Sequence, residues 1–120
     1  RWTHPRPAFS AKSQILNQGA QWGPVLARAE GDPSMHLFFS QSHTCRLLGR
    51  EESWSPGGDI YLTTSADSAK WSEPRVLLSQ GQNGLPKVTA NKPAIFSVKG
   101  KGLWLLPIWR ELPQKKSTCT

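Results

Sequence analysis

Two short clusters of charged and amide side chains hold most of the chemistry this sequence could perform. Asn91-Lys92 stands directly before the apolar run PAIFSV (93–98), and Arg110-Glu111 closes the run LWLLPIWRE (103–111). An arginine at a strand end can hold a carboxylate through its forked donors, and an adjacent glutamate can orient it. The same residues also fit a solvated rim, where exposed ion pairs contribute little. The single tyrosine, Tyr61, and Asp67 lie close together in sequence. Asp67 sits in the turn-like SADSAKW (65–71), where its carboxylate can accept N–H groups of its own turn, a structural role. His4, His36 and His43 have neither metal-ligand spacing nor a Ser or Cys partner motif, which leaves structural or exposed roles. Cys45 and Cys119 are 74 residues apart and form no CxxC or zinc pattern. Free thiols and a disulfide both stay open, because pairing depends on a Cα separation. Nothing here requires a cofactor.

Composition narrows the scaffold. Six tryptophans, ten glycines and ten prolines against one methionine describe an aromatic, turn-rich chain that favours strands over helices. The formal net charge is +7, but the basic residues are scattered and only Lys115-Lys116 are adjacent. Without a basic stripe or nucleic-acid motif, this charge reads as a solvated surface rather than a nucleic-acid site. No apolar run approaches the length of a membrane-spanning helix. The sequence points to no particular compartment.

The strongest organising signal is a repeat. WTHPRPAFS begins at Trp2 and WSEPRVLLS begins at Trp71, 69 residues later. The same offset carries Leu16 onto Leu85, Pro24 onto Pro93, Gly31 onto Gly100 and Leu37 onto Leu106 without a gap. A fixed period marks one supersecondary unit stacked on copies of itself. The chain opens inside a unit and covers too little of the repeat to close it, so it is expected to be part of a longer protein. Strands are expected at 24–29, 35–42, 58–65, 73–79, 93–98 and 103–111, joined as antiparallel meanders, with no long helix. The second strand of each unit is apolar on both faces, as in a sheet covered on both sides. The polar stretch 43–57 is expected to be an exposed loop.

The turn at 65–71 with the following Ser72-Glu73-Pro74 is similar to the Asp-box, Ser-x-Asp-x-Gly-x-Thr-Trp and its shorter form. Together with Trp22-Gly23-Pro24-Val25-Leu26, HLFFSQS, GGDIYLTTSADSAKWSEPRVLL and ANKPAIFSVKGKGLWLLPIWRE, it resembles the BNR/Asp-box sialidase-like six-bladed β-propellers, over nearly all of the chain. The resemblance implies an all-β fold of antiparallel four-stranded blades, incomplete in this chain. Residues 1–21 would end a preceding blade and connect it onward. Residues 22–79 would form one blade with its Asp-box turn, and 80–120 the first two strands of the next blade and a tail. Ser65, Asp67 and Trp71 would be the structural Asp-box residues, the Trp71 ring buried beneath the turn. Ala69 stands where the family has Gly, Lys70 where it has Thr, and Gly23 where it often has Asn.

Family sialidases grip the substrate carboxylate with three arginines and use a Tyr/Glu pair and an Asp acid/base. Carried onto this sequence, that set is absent. Tyr61 falls on the outer half of a blade, Asp67 belongs to the turn, and no Arg-Ile-Pro motif occurs. The resemblance therefore implies part of a glycoside hydrolase acting on sialic-acid-type glycans, inactive by itself. Asn91, Lys92, Arg110 and Glu111 are its candidate substrate-binding residues. The alternative is a non-catalytic propeller, a carbohydrate-binding or scaffold subunit of a larger assembly. The implied partners are further blades or companion chains, and a glycan ligand.

Overall fold

The computed structural model describes residues 4, 18–47, 50–82 and 85–111; for 18–20, 43–47 and 50–56 the backbone alone is described. These residues form eight strands: β1 (Gln18–Ala27), β2 (Met35–Leu47), β3 (Arg50–Ser65), β4 (Arg75–Leu78), β5 (Lys87–Thr89), β6 (Ala94–Val98), β7 (Lys101–Leu105) and β8 (Ile108–Arg110). Every pairing is antiparallel, and the described residues contain no helix. Strands β1 to β4 pair in chain order as a meander. β5 joins β3 beside β4 and carries β8, while β6 and β7 form a separate hairpin.

Two sequence expectations are corrected. The stretch 43–57 is not a loop: β2 and β3 continue as a ladder through Thr44↔Trp54 and Cys45↔Ser53 to Leu47↔Arg50. Polar composition suggests a loop, yet a ladder is held by main-chain groups, and β-prone residues such as Thr44 and Trp54 suit it. Nor is 103–111 one strand. It breaks at Leu106-Pro107, so that β7 pairs with β6 and β8 pairs with β5. Pro107 has no N–H to continue the ladder, although its carbonyl accepts from Ala90 N at 3.1 Å. The residues of Trp2 and its neighbours, the His43 and Cys45 side chains, Lys115, Lys116 and Cys119 lie outside the description.

Both faces of the central β2–β3 pair are covered. Phe38, Ile60 and Leu62 are buried on one face, and Leu37, Phe39 and Thr63 on the other. The 69-residue offset reappears in the turns. Ala29 O accepts from Asp32 N across a turn with Gly31 at φ 77°, and Val98 pairs with Lys101 across one with Gly100 at φ 75°. The first strand of each hairpin thus enters an equivalent turn. The returning strands differ by two positions: Ala27 faces His36, whereas Phe96, 69 residues after Ala27, faces Leu103. The extra residues of the first return include Asp32, whose carboxylate accepts from Ser34 N at 2.8 Å.

Candidate functional site

The turn at 65–71 joins the third and fourth strands of the meander. Asp67 Oδ1 accepts from Lys70 N at 2.8 Å, Ala69 N at 2.9 Å and the Ser65 hydroxyl at 3.2 Å. Those donors, the Lys70 N–H first and the Ala69 N–H next, hold the exposed carboxyl below its usual range. The left-handed residue is Ser68, at φ 59°, not the Ala69 that aligns with the usual glycine. Trp71 is half-buried, less covered than expected. Ser72 instead locks the turn's exit: its N–H donates to Thr64 O at 2.8 Å and its carbonyl accepts from the Thr63 hydroxyl at 2.6 Å.

A second polar centre, not evident in the sequence, is built around Lys87. Its residue is 1% exposed, and its ammonium donates to the carbonyl oxygens of Ser79, Gln82 and Leu85 at 2.8, 2.6 and 2.8 Å. The Gln80 carbonyl lies further off at 3.4 Å. Burial pushes the ammonium down from its ordinary value; the Asp59 carboxylate opposes that shift and the Arg110 charge adds to it. Asp59 also accepts from Gln80 N at 2.6 Å, so β3 fixes the same connection from below. A lysine inside an unremarkable stretch, NGLPKVT, gives no sequence signal for such a role; only the fold gathers its carbonyl partners.

The β5–β8 ladder places the four candidate substrate residues. Lys87 pairs with Arg110 and Thr89 with Ile108, so Arg110 and Glu111 lie at the Lys87 end. Glu111 N donates to Pro86 O at 2.9 Å there. Asn91 and Lys92 follow the opposite end, where Asn91 Oδ1 accepts from Lys92 N at 2.7 Å. The four-residue spacing along the ladder separates the two pairs by about 13 Å. Arg110 is exposed and Glu111 half-buried, whereas Asn91 and Lys92 are both exposed.

Tyr61 packs its ring on Phe39 with centroids 5.5 Å apart and an angle of 14°. Burial, then the Asp59 charge, pushes its phenol up. Across the other face, β5 approaches β1 closely. Thr89 donates its hydroxyl to Gly23 O and takes the Ser40 hydroxyl on its N–H at 2.8 Å. Gly23 has φ 57°, and a Cβ there would meet Thr89 Oγ1 at 2.5 Å. The space a side chain at residue 23 would need is taken by Thr89 of β5.

Among the described residues no three His, Cys, Asp or Glu side chains group as a metal site, and no helix is long and apolar enough to cross a membrane. No family model, curated protein or solved structure matches the chain.

Proposed function

We propose that this chain supplies blades of a sialidase-like β-propeller, within a glycoside hydrolase acting on sialic-acid-type glycans. The observation that carries the reading is the 65–71 turn: one carboxylate takes two N–H groups and a serine hydroxyl between the third and fourth strands of a four-stranded meander. A carboxylate-braced turn at that point of the meander supports the Asp-box reading. In this reading the chain forms wall rather than catalytic centre, since Asp67 is committed to its turn and Tyr61 to packing. Arg110, exposed at its strand end, is the side chain that would take a sugar carboxylate, with Glu111 beside it. Asn91 and Lys92 would meet a more distant part of a glycan.

The non-catalytic alternative keeps one observation in its favour: Asp32, Asp59 and Asp67 each accept main-chain N–H groups, and the Tyr61 ring stacks on Phe39. Assay of the native polypeptide that contains this sequence on a fluorogenic sialoside separates the two. Turnover with a KM raised by Arg110→Ala supports the hydrolase. Sialoside binding without turnover favours the carbohydrate-binding subunit, and neither turnover nor binding removes the glycan reading.

A further inference from the structure

Four main-chain carbonyl oxygens converge on the Lys87 ammonium. Those of Ser79, Gln82 and Leu85 lie 2.8, 2.6 and 2.8 Å from Nζ, and that of Gln80 lies at 3.4 Å. A buried charge is tolerated where hydrogen bonds replace its water, and here three N–H donors meet three short acceptors. The acceptors all come from the connection between β4 and β5, and other contacts shape that connection without the lysine. Gln82 N donates to Ser79 O at 3.1 Å, and Ser79 N donates to the Gln82 side-chain carbonyl at 3.1 Å. Asp59 of β3 accepts from Gln80 N at 2.6 Å. Its charge favours a cation among the carbonyls, while that of Arg110 opposes one. The ring of oxygens is thus held by turn and sheet as well as by its occupant.

From this we infer that the carbonyls of Ser79, Gln80, Gln82 and Leu85 form a binding site for a monovalent cation of ammonium or potassium size, which Lys87 fills from within the chain. Rings of backbone carbonyls replace the hydration shell of potassium in the same way, and ammonium is close to potassium in size. Neutral carbonyl donors suit a single charge. Calcium sites recruit carboxylates, and magnesium keeps several of its waters. Lithium is smaller and more strongly hydrated, so it gains little from oxygens spaced for ammonium. With the lysine side chain removed, the site passes to a free ion. The inference rests on neither the repeat nor any glycan activity.

Lys87→Ala, melted in lithium, potassium and ammonium chloride at one ionic strength, is the test. The variant should melt about 5 °C higher in potassium or ammonium than in lithium once the ion reaches roughly ten times its dissociation constant, and the gain should saturate. The wild-type protein, its ring occupied, should melt alike in all three salts. Lys87→Met, whose apolar side chain occupies the ring, should gain nothing from potassium. In the wild type the Lys87 ammonium should also give a proton–nitrogen correlation signal that persists at neutral pH, unlike that of a solvated lysine. Equal melting of Lys87→Ala in the three salts, its failure to fold in any of them, an equal potassium gain in Lys87→Met, or no protected ammonium signal would overturn the inference.

Discussion

Lys87 Nζ lies 2.6 Å from the carbonyl oxygen of Gln82, inside a ring of main-chain oxygens that ends the β4–β5 connection. The carbonyls of Gln82 and Leu85 lose the ammonium donor if it goes, and Ser79 O keeps only the N–H of Gln82 at 3.1 Å. Lys87→Met is expected to destabilise the protein by about 3 kcal/mol. Amide hydrogen exchange should rise at residues 79–82 and 85 and change little in β1. Denaturant midpoints with exchange mass spectrometry check both; equal midpoints would mean the connection is held by other contacts.

The Asp67 turn gives a pH-dependent outcome. The folded carboxyl is held below its unfolded value, so its contribution is fully present above about pH 3.9 and fades as pH falls through the lowered folded value. Asp67→Ala should lower the Tm at neutral pH, and Asp67→Asn, which keeps an acceptor, should lower it less. The gap between wild type and Asp67→Ala should close as the pH is taken down through the acid range. A gap that persists at low pH would show that charge-assisted bonding is not what the turn uses.

Gly23 and Gly31 both have positive φ, but only Gly23 has a neighbour where its Cβ would go. Gly31→Ala should cost about 1 kcal/mol for the left-handed backbone alone. Gly23→Ala adds overpacking against Thr89 and should cost about 3 kcal/mol. Thr89→Ala should not rescue it, because the Thr89 carbonyl oxygen also stands 2.8 Å from the added carbon. Thermal unfolding of the three variants and the double variant decides the matter.

Ser68 bears the turn's left-handed strain, so Ser68→Gly should stabilise by about 0.5 kcal/mol, the relief exceeding the added unfolded-state entropy. Ala69→Gly should destabilise slightly for lack of strain to relieve. The reverse order of the two variants in a denaturant series would return the glycine-like position to residue 69.

What the sequence made legible was local and periodic. The all-β character, the turns at Gly31 and Gly100 and the hydrogen-bonding role of Asp67 all follow from residue type and spacing. The β2–β3 extension was hidden because a main-chain ladder leaves no apolar signature in 43–57. The division at Pro107 was legible in principle, since proline rarely continues a ladder, but the apolar residues on both sides mask it. Lys87 and Thr89 were illegible: their partners lie in Ser79, Gln82, Ser40 and Gly23, and only β5 crossing from β3 toward β1 brings them together. The same crossing separates Asn91-Lys92 from Arg110-Glu111, which sequence proximity to strand ends had grouped.

The blade reading requires the β6–β7 hairpin to pack on β2, and Trp104 reports that packing directly. Nuclear Overhauser spectra of the folded protein should show cross-peaks from the Trp104 indole to the ring protons of His36 and Phe38, given ring centroids 4.7 and 6.1 Å away. Trp104→Ala should move the His36 and Phe38 resonances and leave that of Tyr61 in place. A Trp104 ring with no cross-peak to either side chain, freely quenched by iodide, would show that the two units do not stack and would contradict the account.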